Sequence, residues 1–240
     1  MNMNPLYILP NLFTAGSIFL GIVSIVFASR GVFELSCWLI LFSMILDGLD
    51  GRVARLTNTT SKFGVEFDSL ADVVAFGVAP AMLLYFYSGV AYGKYGIVVS
   101  ALFVIFGAIR LARFNISTTN AEPSSFIGLP IPSAAIMISL WILLDLQYNI
   151  LEKWNMKYLL LFLMLLLGIL MVSNIRYPSF KKTKWNLKIF VILILILGAI
   201  YLRPKEVIGA LMTLYIFYGI IRWLFVVIIK ILFKKSEIKK

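Results

Sequence analysis

The stretch DGLDGRVARLTNTTSKFGVEFDSLAD, residues 47–72, holds five of the chain's 11 acidic residues. Long apolar runs flank it on both sides. Asp47 and Asp50 are spaced i,i+3, and Asp68 and Asp72 are spaced i,i+4, so on helices each pair shares one face. The polar turn 57–62 between the pairs reverses the chain, and the two faces are expected to meet as antiparallel neighbours. Gly51 and Ala54 lie on the Asp47/Asp50 face, and Gly64 precedes Asp68 by four residues. Small residues there let a backbone or a ligand approach closely. Glu66 falls off the shared face and reads as an interfacial charge.

Working outward, the composition states the solvent. Of 240 residues, 61% are apolar and 14% charged, with a mean hydropathy of +0.97. Soluble domains run at about 45–50% apolar and about 25% charged. The expected fold is therefore an all-α, polytopic membrane bundle. Segments of roughly 17–25 apolar residues can span a bilayer, and eight are read: about 6–28, 33–56, 65–88, 95–114, 130–147, 156–173, 187–202 and 207–230. The first is expected to be a retained helix. The chain has no His and one Cys, Cys37, which reads as inert. That excludes a His base, a zinc-type site and an intrachain disulfide. Fifteen of the 22 basic residues fall in the loops after even-numbered spans and in the C-terminal tail, among them Arg52, Arg55, Lys62, Arg110, Arg113 and the run 181–188. The positive-inside rule then puts both termini and this face in the cytoplasm. The net charge of +11 reports orientation and contact with anionic lipid; no nucleic-acid partner is expected.

Four carboxylates converging inside a membrane are costly and are ordinarily functional. Two divalent cations would cancel four negative charges. Mg²⁺, Mn²⁺ and Ca²⁺ are the ions suited to all-oxygen ligands. Two such ions about 3.5–4 Å apart form the usual clamp in phosphoryl-group chemistry, and Arg55, one turn beyond Gly51, could pair with a phosphate. The same acids would also suit a cation transporter, and charge and spacing alone leave both readings open.

The spacing D-x2-D-G-x2-A-R-x8-G-x3-D-x3-D, met at every fixed position from Asp47 to Asp72, resembles the signature of the CDP-alcohol phosphotransferase family. The resemblance implies an enzyme of phospholipid biosynthesis. A CDP-linked lipid passes its phosphatidyl-type group to a hydroxyl acceptor and releases CMP. It implies a two-metal site on Asp47, Asp50, Asp68 and Asp72, with Asp72 as general base. It implies a CDP site lined by Gly51, Ala54 and Arg55. The family core has six helices. One domain over 1–240 is thus expected, with a catalytic core at about 5–175 and additional helices at about 187–230.

Softer matches point to one branch. The segment from Pro10 through Asn11 to Thr14 is similar to one beside the nucleotide site in several members. The segments Arg110–Asn115 and Phe126–Ala135 resemble integral-membrane phosphatidylserine synthases. The implied acceptor is L-serine, and the implied donor is CDP-diacylglycerol or an archaeal CDP-archaeol. Asn11 and Thr14 are then ribose or phosphate contacts, or an ordinary interfacial turn. Arg110, Arg113 and Asn115 are then contacts to the serine carboxylate or lipid phosphate, or two snorkelling arginines and a helix cap. Glycerol 3-phosphate or inositol phosphate as acceptor would call for a richer cationic pocket. With no His or Cys candidate, direct in-line attack is expected over a covalent intermediate. Pro130 and Pro132 open a helix, where a missing N–H matters least. Homodimerisation is left open.

Overall fold

The computed structural model describes residues 8–117, 125–153, 155–178 and 187–237. The helices are α1 (Ile8–Ser29), α2 (Phe33–Leu56), α3 (Lys62–Asp72), α4 (Ala79–Tyr87), α5 (Lys94–Ser117), α6 (Ile131–Tyr148), the single turn α7 (Ile150–Lys153), α8 (Tyr158–Val172), α9 (Leu187–Leu202) and α10 (Pro204–Glu237). A π-helical segment, Val73–Val78, joins α3 to α4 into one rod, Lys62–Tyr87. The protein is a helical membrane bundle. Among the described residues five helices are long and apolar enough to cross a bilayer: α1, the α3–α4 rod, α5, α6 and α10.

Helical segments occupy all eight expected spans, with three differences. The third begins at Lys62, not at 65. α8 has 15 residues, which at about 1.5 Å each falls short of a hydrocarbon core about 30 Å thick. α10 runs on to Glu237. The all-α expectation holds for the bundle, and one short strand pair accompanies the helices. Strands β1 (Ser125–Ile127) and β2 (Arg176–Pro178) pair antiparallel, Phe126 opposite Tyr177. Two connections emerge at the same end of the bundle, and their backbone groups find partners in each other. Gly128 (φ +78°) follows β1, where a side chain would collide with the Met171 carbonyl. Its N–H donates to the Ile175 carbonyl at 2.8 Å, and the Leu129 N–H to that of Leu170 at 3.0 Å. The strand is thereby laced to the end of α8. The loop lysines at 181, 182 and 184, and residues 6 and 7 of the first expected span, lie outside the described residues.

α1 is the wedge of the bundle, packing against α2, α3, the π segment and α4. Its buried stripe is small and polar: Thr14, Ser17, Gly21, Ser24 and Ala28. Ser17 and Ser43 hydroxyls meet at 2.7 Å, as do those of Ser24 and Ser36. At Gly21 a Cβ would stand 2.9 Å from the Cα of Ala75. In lipid no hydrophobic effect drives helices together, so small residues and interhelical hydrogen bonds supply the contact.

The far end is closed by Asp145, which is buried. Its carboxylate accepts from the Tyr87 hydroxyl at 2.6 Å and from the Leu151 N–H at 2.7 Å. α4, α6 and α7 are joined there, and Phe33 at the start of α2 packs edge-on against Tyr87. Asp145→Ala strands both buried donors, at about 1–3 kcal/mol each. Thermal unfolding in detergent is expected to show a lowered Tm, with turnover per folded molecule unchanged.

Candidate active site

The gap between Arg55 and Gly64 is a helix stop followed by a helix start. α2 ends in a Schellman motif. Asn58 takes the left-handed conformation (φ 52°), the Thr59 N–H donates to the Ala54 carbonyl at 2.9 Å, and the Asn58 N–H to that of Arg55 at 3.4 Å. Such closure satisfies the orphan carbonyls of a helix end. α3 begins at its N-cap Ser61, whose hydroxyl accepts from the Gly64 N–H at 3.0 Å. The chain turns back and the two acidic faces converge.

Asp47, Asp50 and Asp68 each present an oxygen within 4.8 Å of the others'. Asp47 also lies against Asp72, whose buried Oδ1 has no hydrogen-bond partner. No ion pair to these four acids occurs among the described residues; the pairs found there involve Glu34, Glu152 and Glu206. Unit charges 4 Å apart repel by about 4 kcal/mol at an effective dielectric of about 20. Crowded carboxylates, an orphaned carboxylate oxygen and an all-oxygen donor set fit divalent cations. Thr14 of α1 braces the group: its hydroxyl donates to Asp50 Oδ2 at 2.6 Å. Asp50 also accepts from the Gly51 N–H and is 6% exposed.

Beside the quartet opens a cavity of about 210 Å³. It is lined by Pro10, Asn11 and Thr14 of α1, by Asp50, Gly51, Ala54 and Arg55 of α2, and by Ser61, Gly64 and Asp68 across the turn. A Cβ on Gly51 would meet the Arg55 guanidinium at 3.6 Å, and one on Gly64 would meet Ser61 Oγ at 3.2 Å and Asn11 Oδ1 at 3.7 Å. The two glycines leave open the floor between an arginine and an amide. Every residue expected on the nucleotide side thus lines one cavity. Thr59 and Ser61, which the sequence reading passed over, line it too.

The residues of the acceptor side divide. Arg110, on α5, is buried. It interacts electrostatically with Asp72 and lies over the Phe114 ring at 5.5 Å. Arg113 points to the end of α8. It donates to the carbonyls of Val172 (3.1 Å), Ser173 (3.0 Å) and Ile127 (3.3 Å) and to Asn174 Oδ1 (3.5 Å). Asn115 Nδ2 donates to Ser69 Oγ at 3.0 Å and ties α5 to α3 beside Asp68. Exposed Glu66 stays off the site, as expected. The π segment immediately after Asp72 is a feature the apolar pattern does not announce. Such segments recur at functional sites, and here Asp72 directly precedes the segment, whose Ala75, Phe76 and Gly77 are buried.

Quartet, glycines and arginine together define a class. The chain belongs to the CDP-alcohol phosphatidyltransferase family, whose model matches residues 7–170. It is an enzyme of the CDP-alcohol phosphotransferase type. The CDP-diacylglycerol–serine O-phosphatidyltransferase of Helicobacter pylori strain 26695 is 61% identical to it over 99% of both chains. The protein of that name from Methanocaldococcus jannaschii is 38% identical over 78% of this chain and 83% of its own. The archaetidylserine synthase of Methanothermobacter thermautotrophicus is 37% identical over 71% of this chain and 69% of its own.

Thr14→Val removes the donor to Asp50 while keeping side-chain volume. Losing an outer partner of a ligand typically lowers metal affinity about 10- to 100-fold, and a loss in that range is expected in calorimetric Mn²⁺ titration. Thr14→Ser retains the hydroxyl and is expected to bind as wild type does.

Proposed function

We propose that this enzyme transfers the phosphatidyl or archaetidyl group of a CDP-linked lipid to the hydroxyl of L-serine and releases CMP. The observation that carries the reading is the carboxylate quartet at the mouth of a cavity lined by the whole Gly51–Ala54–Arg55–Gly64 set. The names borne by relatives at 61% and 38% identity support serine as acceptor.

In this reading Asp47, Asp50, Asp68 and Asp72 hold two divalent cations, Mg²⁺ or Mn²⁺ ahead of Ca²⁺. Bound there, the cations supply charge neutralisation and Lewis-acid polarisation of the diphosphate. Gly51 and Gly64 let the nucleotide sit against the backbone. Asn11 offers an amide to the ribose or a phosphate. Arg55 faces the phosphates with a planar fork that matches their oxygens. Thr14 acts through Asp50 and keeps that carboxylate oriented. On the other side of the quartet, Arg110 receives the serine carboxylate. Asp72, next to Arg110, accepts the proton of the serine hydroxyl as its oxygen attacks the lipid-side phosphorus. The new P–O bond forms in line as the bond to CMP breaks, and CMP leaves through the cavity. Arg113 and Asn115 are assigned to fixing α5 against α8 and α3.

The charge pattern supports an orientation. Arg52, Arg55, Lys62, Arg110, Arg113 and Arg176 gather at the site end, so that end is read as facing the cytoplasm across the cell membrane. We read eight crossings and one domain, with the catalytic core ending near 175. A site at the lipid–water boundary lets a soluble nucleotide and apolar tails be handled together.

Purified enzyme with labelled CDP-diacylglycerol and a panel of acceptors tests the assignment. Mn²⁺- or Mg²⁺-dependent CMP release with serine is expected. Release with glycerol 3-phosphate but not serine overturns the acceptor, and no release with any acceptor overturns the reading. Asp72→Asn is expected to lower turnover by at least about 10²-fold, the smaller end of a general base's contribution, with helix content and elution from a sizing column unchanged. Wild-type turnover in that variant removes Asp72 as base.

A further inference from the structure

Beyond residue 170 the chain leaves the family-matched region, yet α10 returns to the site. It starts at the far end, where Lys205 pairs with Glu34 at 2.8 Å. By Tyr215 it has reached the end where the acids lie, and there it packs on β2. The Tyr215 ring stands 5.4 Å from that of Tyr177. Tyr177 is fully buried, and its ring occupies the space over Gly219 that any side chain there would need. The glycine is therefore what lets this strand tyrosine seat itself on the helix.

Arg110 has both Asp72 and Tyr215 as electrostatic neighbours. Three buried polar atoms along this row lack a partner among the described residues: Asp72 Oδ1, Arg110 Nε and the Tyr177 hydroxyl oxygen. Arg110 is 6% exposed and Tyr177 0%. Buried polar atoms are nearly always paired, so three orphans in one neighbourhood mark a place where a ligand completes the bonding. They comprise a carboxylate acceptor, a cationic donor and a phenol able to donate. A small acceptor bearing both a hydroxyl and a carboxylate matches that set.

We propose that Tyr215 and Tyr177, residues of the C-terminal segment outside the family-matched region, wall the acceptor pocket and position Arg110 for a small carboxylate-bearing acceptor. The inference rests on the serine reading above. Tyr215 is a positioning residue: in this proposal its hydroxyl, an electrostatic neighbour of the guanidinium, restricts where the fork can point. Tyr177 fixes the Tyr215 ring and turns its own hydroxyl to the pocket.

Tyr215→Phe keeps the ring on Tyr177 and removes one hydroxyl. It is expected to raise the KM for serine about tenfold, the size of one hydrogen bond to a charged group, with kcat and the KM for CDP-diacylglycerol within about twofold of wild type. Tyr177→Phe is expected to shift the serine KM in the same direction, and thermal unfolding of both variants to match wild type. An unchanged serine KM in Tyr215→Phe overturns the proposal, as does an equal rise in both KM values, which marks general loosening. The wild-type acceptor panel runs alongside. Absence of serine transfer there defeats the proposed function together with this inference, whereas serine transfer with an unshifted KM in Tyr215→Phe defeats the inference alone.

Discussion

Mutual repulsion of carboxylates in a medium of low dielectric is the constraint around which this bundle is arranged. Asp47, Asp50, Asp68 and Asp72 converge without a lysine or arginine bridging to them among the described residues. Left to themselves, two helices carrying such faces would separate. They are held together by parts that have no chemistry of their own. The Schellman stop at Asn58 and the Ser61 cap fold the chain back. The serine pairs of α1 and α2 clamp the wedge helix in place. Thr14 reaches from that wedge to Asp50. Carboxylates brought together in this way fit divalent cations.

α1 also gives the site two sides. Its first turns close the cavity beside the acids against α2 and the 59–64 turn. Arg110 approaches Asp72 from α5 instead. Asp72 therefore has Asp47 on one side and Arg110 as an electrostatic neighbour on the other. The strand pair and the end of α8, tied by Arg113, close the site end from outside. The Asp145 staple performs the matching task at the far end.

Much of this was legible in the residues. The i,i+3 and i,i+4 pairs located the acidic faces, and the polar turn announced their reunion. Register put Gly51 on the acidic face, Arg55 one turn beyond it and Gly64 four residues before Asp68, whereas the nucleotide side for Gly51, Ala54 and Arg55 came from the family resemblance. Other features carried no local signal. Arg110 and Arg113 are one turn apart on one helix, and nothing in their spacing says that one turns to Asp72 and the other to the carbonyls of α8. Thr14 could be seen as a polar residue near the nucleotide, but its bond to Asp50 spans 36 positions. The stripe Thr14, Ser17, Gly21, Ser24 and Ala28 has the spacing of a packing seam, and reading it that way would have named α1 as the partner of α2. Strands of three residues are too short to leave a periodic trace.

The sequence by itself determined the solvent, the helical class, the four acids and their pairing by face. Those follow from composition and from the 3.6-residue period, which act over a few turns. The tertiary structure alone decided which helix braces the acids, which arginine interacts with them, and that Tyr215 of the last helix packs its ring on Tyr177. Those depend on packing between segments far apart in the chain, and side-chain direction across an interface is set by what lies opposite.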